Sequence, residues 1–105
     1  MTGWSRSAQP TFDVDYEEDF LDGAAKLTVP ERHSVFKIAK DLEANGPLAS
    51  DGEIEHPAHG RIRVRFYSGV VALFREKCRG PRTIRMLECG RYGRDDRGEL
   101  VTTMM

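Results

Sequence analysis

His56 and His59 stand three residues apart in EHPAHG, directly ahead of a run in which every second residue is arginine: Arg61, Arg63 and Arg65 in RIRVRF. Imidazole carries protons near neutral pH. Guanidinium presents a planar fork that grips phosphate through paired N–H groups. On an extended strand, alternate side chains share a face about 7 Å apart. That spacing approaches the phosphate repeat of a stretched nucleic-acid single strand, about 6–7 Å. Three such cations repel one another unless acids or a polyanion lie beside them. Arg75 and Arg85, on two further strand-like segments, are expected on the same face, with Arg82 in the turn between them. Arg91-Tyr92 closes the last segment, where a tyrosine either stacks on a base, transfers a proton, or packs an edge.

The formal net charge of −1 hides a strong asymmetry. Met1 to Glu55 holds 5 Lys and Arg against 12 Asp and Glu, a net of −7. His56 to Met105 holds 11 against 5, a net of +6, and ten of those eleven cations are arginine. A basic half of this kind points to a polyanion partner, to packing against the acidic half, or to both.

With 105 residues, 39% apolar and 31% charged, the chain reads as one globular domain. No apolar run approaches the roughly 20 residues of a membrane helix, and Met1 to Pro10 shows no signal-peptide pattern. The expected compartment is the cytoplasm, with no membrane partner, and Cys78 and Cys89 are expected as reduced thiols. The two histidines and two cysteines match no compact zinc-ligand spacing. Phosphate-loop, dinucleotide-binding and HExxH patterns are missing, so neither metal nor cofactor is expected.

The elements that must position these residues are legible in part. Met1 to Pro10 reads as a flexible lead-in containing Trp4. TFDVDY alternates as a short strand, with Phe12, Val14 and Tyr16 on one face. Glu17 to Leu27 carries Phe20, Ala24 and Leu27 at helical spacing. Thr28 to Gly46 opens with a capping box, Thr28 and Glu31, and carries the stripe Val35, Ile38, Ala39 and Leu42. Asn45-Gly46-Pro47 stops it. Leu48 to Gly60 reads as a loop. Three strands follow: Arg61 to Tyr67, Val70 to Lys77 and Thr83 to Tyr92. Ser68-Gly69 marks a tight turn, and CRGPR forms the second connection. Val70 to Phe74 is apolar on both faces and reads as a central strand. Residues 93–105 read as a tail, leaving 11–92 as the domain.

The expected fold is α+β: a strand, an antiparallel helical hairpin, then a curved antiparallel sheet, in the order β-α-α-β-β-β. The helices are expected over Ile62, Val64 and Phe66, leaving the arginines on the opposite, open face.

From about Phe12 to Tyr92 the chain resembles the RelE/ParE toxin superfamily, its HigB-like branch in particular. The resemblance rests on KIAKDLEANGP, GRIRVRFYSG, VVALFREK and TIRMLECGRY. It implies a toxin of a type II toxin–antitoxin system, a metal-independent endoribonuclease cutting mRNA on the ribosome. The ribose 2′-OH attacks the adjacent phosphate, leaving a cyclic phosphate and a free 5′-OH. By position, Arg65 and Arg85 would hold the phosphate with help from Arg63, and His59 or His56 would move protons. Arg91 and Tyr92 would form the basic and aromatic ending, with Tyr92 stacking or transferring a proton. Arg61, Arg75 and Arg82 would complete the RNA contacts. A cognate antitoxin is implied as partner. The alternative is a non-catalytic module of the same fold, a ParE-like gyrase inhibitor or a degenerate family member.

Overall fold

The computed structural model describes residues 12–77 and 82–105. The expected lead-in with Trp4, and most of the CRGPR turn with Cys78, lie outside them.

The described chain is α+β, with two helices and a six-stranded, mostly antiparallel sheet. Strand β1, Asp13–Tyr16, leads into helix α1, Glu18–Ala25, and helix α2, Val29–Asn45. Strands β2, Gly52–His56, β3, Gly60–Tyr67, β4, Val70–Glu76, β5, Thr83–Arg94, and β6, Leu100–Met104, complete it. The sheet order is β1-β5-β4-β3-β2, with β1 parallel to β5 and β6 pairing the far end of β5. No described helix is long and apolar enough to cross a membrane.

Local chemistry accounts for the element ends. Thr28 Oγ1 accepts from Glu31 N, and the Glu31 carboxylate accepts from Thr28 N, the reciprocal pair expected from the sequence. Gly46 takes φ 76° and ends α2, with the Phe12 ring against its α-carbon. Ser68 and Gly69 both take positive φ, as a two-residue turn between twisted strands requires.

Two apolar layers flank the sheet. On one face Phe20, Ala24, Leu27, Val35, Ile38, Ala39 and Leu42 meet Val70, Ala72, Phe74, Ile84, Met86 and Cys89. These helical residues are the predicted stripes. On the other face Ile62, Val64, Val71, Leu73 and Leu87 form a second cluster, joined by Phe66, Tyr92 and Met104. β4 lies between β3 and β5 and is buried on both faces, as its composition requires.

Three expectations are corrected. The helices do not cover Ile62, Val64 and Phe66; those residues build the second cluster, so the two-residue period turns Arg63 and Arg65 toward the helices. Leu48 to Gly60 is not all loop, because Gly52–His56 pairs with β3. Residues 93–105 are not a tail, because β5 runs on to Arg94 and β6 pairs with it.

Candidate functional site

The face away from the helices holds one concentrated set of chemical groups. His56 ends β2 and pairs in register with Gly60, which places it on the side of Ile62. On β5 the register slips at Leu73/Phe74, so Leu73 opposes Glu88 while Phe74 opposes Met86. This bulge leaves Leu87 and Glu88 both on the face of Leu73. Glu88 is thereby the acid of an otherwise apolar strand segment, held over the second cluster.

In a flat sheet β2 and β5 would lie about 14 Å apart, three strand spacings. His56 Nε2 nonetheless lies 2.6 Å from Glu88 Oε2, the two side chains reaching toward each other across this face. Both side chains are largely shielded, with 17% and 21% exposure. His56 Nδ1 accepts from Ala58 N at 3.0 Å. With Nδ1 accepting, Nε2 carries the ring proton and donates it to Glu88. The His59 ring packs 4.7 Å from that of His56. One ligand atom from each of His56, His59 and Glu88 falls within 4.8 Å of the others. His59 also lines a cavity of about 180 Å³ with Glu17, Glu18, Asp19 and Leu87.

Arg85 lies on the same face, directly opposite Arg75 across the β4–β5 pair. Arg85 Nη1 meets Glu17 Oε2 at 3.2 Å, and its Nη2 meets Asp15 Oδ2 at 3.6 Å. Lys77 reaches the same Asp15 oxygen at 3.7 Å. Glu17 thus links the guanidinium of Arg85 to the cavity that His59 lines.

The remaining sequence-predicted residues fall elsewhere. Arg65 faces α2, where its Nη2 binds Asp41 Oδ2 at 2.8 Å and its Nη1 donates to Ala49 O. Arg65 Nε is buried and finds no acceptor among the described residues. Arg63 donates to Ser50 Oγ and Pro47 O. Arg61 is an exposed cation between Glu53 and Glu55 of β2. Arg91 grips Glu31 at the start of α2. These four share the helix side of the sheet or its margin, because each alternates with an apolar residue claimed by the second cluster. Arg82 stacks over the Phe12 ring at 5.6 Å. Tyr92 does share the face of Glu88, but four residues farther along β5, about 13 Å. Its ring meets Phe66 edge-on at 4.9 Å, so it serves as an edge-packing aromatic.

The cationic stripe on the open face is therefore not present as expected: Arg61, Arg65, Arg85 and Arg91 each meet a carboxylate. Cys89 does not join the histidines either; its Sγ points to Phe20 O beneath α1. Sequence reasoning missed Glu88. Its signal was an acid inside TIRMLECGRY, a segment whose other residues could be buried.

Comparison with known proteins finds no matching family model, no similar curated protein and no similar solved structure.

Proposed function

We propose that the chain cleaves RNA without a metal, as a toxin of the RelE/ParE type in its HigB-like branch. The supporting observation is the cluster of His56, His59 and Glu88 within 4.8 Å, on the face that also carries Arg75 and Arg85.

Internal RNA cleavage needs a base for the 2′-OH, an acid for the leaving 5′ oxygen, and cations around the pentacoordinate phosphorus. Both nitrogens of His56 are engaged, one by Ala58 N and one by Glu88. His59 is then the imidazole that takes the 2′-OH proton. As the 2′ oxygen bonds to phosphorus, the bond to the 5′ oxygen breaks. His59 then hands the proton it has gained to the leaving oxygen, while the His56–Glu88 pair, whose one proton is already shared between its partners, packs against the His59 ring and holds it in place. Arg75 is exposed, and Arg85 exchanges its carboxylate partners for the phosphate. The reading brings with it mRNA on the ribosome as substrate, an antitoxin as partner, and a curved sheet carrying a helical hairpin.

The test is to map RNA 5′ ends in cells after induction. New 5′-OH ends should appear with the natural chain and be lost with His59→Ala and with Arg85→Ala. If both variants still generate them, the assigned site is wrong.

One observation favours a second reading, a non-catalytic inhibitory module of the same fold. The arginines already hold carboxylates, so little cationic surface remains for RNA. That reading predicts growth arrest with no new RNA ends.

A further inference from the structure

The histidine cluster matches a second chemistry as well as proton transfer does. Two imidazole nitrogens and a carboxylate oxygen form the donor set of many three-ligand sites for divalent transition ions. Three atoms all within 4.8 Å of one another leave a point no more than about 2.8 Å from each. Bonds to zinc run about 2.0–2.2 Å, so each donor need move by less than about 1 Å. The ligands come from the end of β2, the turn after it and the bulge in β5. The fold therefore gathers donors 32 positions apart in sequence before any ion arrives.

The surroundings favour a cation. Glu17, Glu18 and Asp19 line the cavity that His59 enters, and Glu88 adds a fourth carboxylate. Arg85, bound to Glu17, Arg75 opposite it and the amino end of α1 oppose this, but four carboxylates outnumber two guanidiniums and a helix end. The shielding of His56 and Glu88 limits competition from water.

We propose that His56, His59 and Glu88 form a site for a single divalent ion of the zinc class, with water or a carboxylate of the Glu17–Asp19 segment as the fourth ligand. His56 binds through Nε2, the atom facing Glu88. Its ring proton then moves to Nδ1, and Ala58 N–H loses its acceptor. The 2.6 Å hydrogen bond between His56 and Glu88 is replaced by two bonds to the ion. This site needs no RNA-cleaving activity. An ion there occupies nitrogens that proton transfer would use, so the two states are alternatives.

The test uses the full chain, freed of metal and titrated with zinc chloride alone by calorimetry. One equivalent should bind. His59→Ala and Glu88→Gln should each weaken binding by at least about tenfold, while His33→Ala, on the outside of α2, should leave it unchanged. Circular dichroism establishes that the variants fold. Should Glu88→Gln fail to fold, His59→Ala, in the turn after β2 and outside both apolar clusters, carries the test alone. Cobalt(II) substitution gives the second readout: a spectrum free of thiolate charge-transfer bands supports the site. Absence of binding overturns it, as does affinity indifferent to His59→Ala, or a thiolate band implicating cysteine.

Discussion

Glu31 holds the Arg91 guanidinium with both carboxylate oxygens, Arg91 Nε to Oε2 at 2.7 Å and Nη2 to Oε1 at 2.9 Å. The same carboxylate accepts the Thr28 amide at 2.9 Å. One side chain thus caps α2 and fastens it to β5, 60 residues on. The hydrogen bonds from Arg91, then that from Thr28, hold the Glu31 carboxyl at about 2, well below its usual 4.5. A lowered carboxyl pKa stabilises the fold above the ordinary value, and the contribution fades as pH falls toward the folded one. Thermal unfolding of the natural chain and Glu31→Gln should therefore show a gap in midpoint at neutral pH that closes between about 4.5 and 2. A gap of constant width across that range would refute the link.

Arg65 was expected to hold phosphate, and its environment assigns it a different task. Its guanidinium joins β3 to Asp41 of α2 and to the Ala49 carbonyl. Arg65→Ala removes charge-assisted hydrogen bonds at a partly buried site, costing about 1–3 kcal/mol. Urea denaturation of Arg65→Ala, Asp41→Asn and the double variant should give a coupling of about 1 kcal/mol. Under the RNA-cleaving reading, Arg65→Ala still produces RNA ends while folded, and Arg85→Ala does not. The reverse result would return the phosphate site to the helix side of the sheet.

Cys89 offers a check on the helix layer. Burial, then the negative charge of Glu88, pushes its thiol up to about 11. Few thiolates exist at neutral pH, and the sulfur lies beneath α1, 3.4 Å from Phe20 O. Alkylation of the native protein, mapped by peptide mass spectrometry to separate Cys89 from Cys78, should label Cys89 at least about a hundredfold more slowly than in urea. Equal rates would mean that α1 does not cover β5 as described.

Much of this architecture was legible because it depends on near neighbours. The α2 stripe, the Thr28–Glu31 box and the Ser68-Gly69 turn are written within a few residues each. β4 could be placed centrally because Val70 to Phe74 leaves no face for water. The choice of face for Arg61, Arg63 and Arg65 was not legible. Alternation says that arginines oppose Ile62, Val64 and Phe66, but not which set meets the helices. With two apolar layers the rule has two solutions, and Leu73, Leu87 and Tyr92 decide it from other strands. His56 and His59 were visible as proton carriers, whereas Glu88 comes to their face only through the bulge in β5. β2 and β6 were missed because GEIEH and LVTTM are short and mostly exposed, with little apolar pattern to announce them.

The attachment of β6 can be tested at one atom. Gly90 of β5 pairs with Met104, and β6 passes so near that a side chain at 90 would meet its backbone. A β-carbon there would stand 2.7 Å from Met104 Cα and 2.9 Å from the Thr103 carbonyl carbon. Backbone atoms cannot swing aside as a side chain can, so Gly90→Ala must push the strands apart. β6 is an edge strand, and most of its residues are exposed. Met104 and Met105 nonetheless pack on opposite faces, one against the second cluster and one against the helix layer. Forcing them out costs about 1–3 kcal/mol, the usual range for overpacking. Hydrogen exchange should then speed up at the paired amides of β6 and at Met105, whose N–H donates to Cys89 O at 3.1 Å, while the β3–β4 amides keep their protection. Unchanged exchange in the last five residues of a folded Gly90→Ala protein would show that β6 does not lie against β5 there.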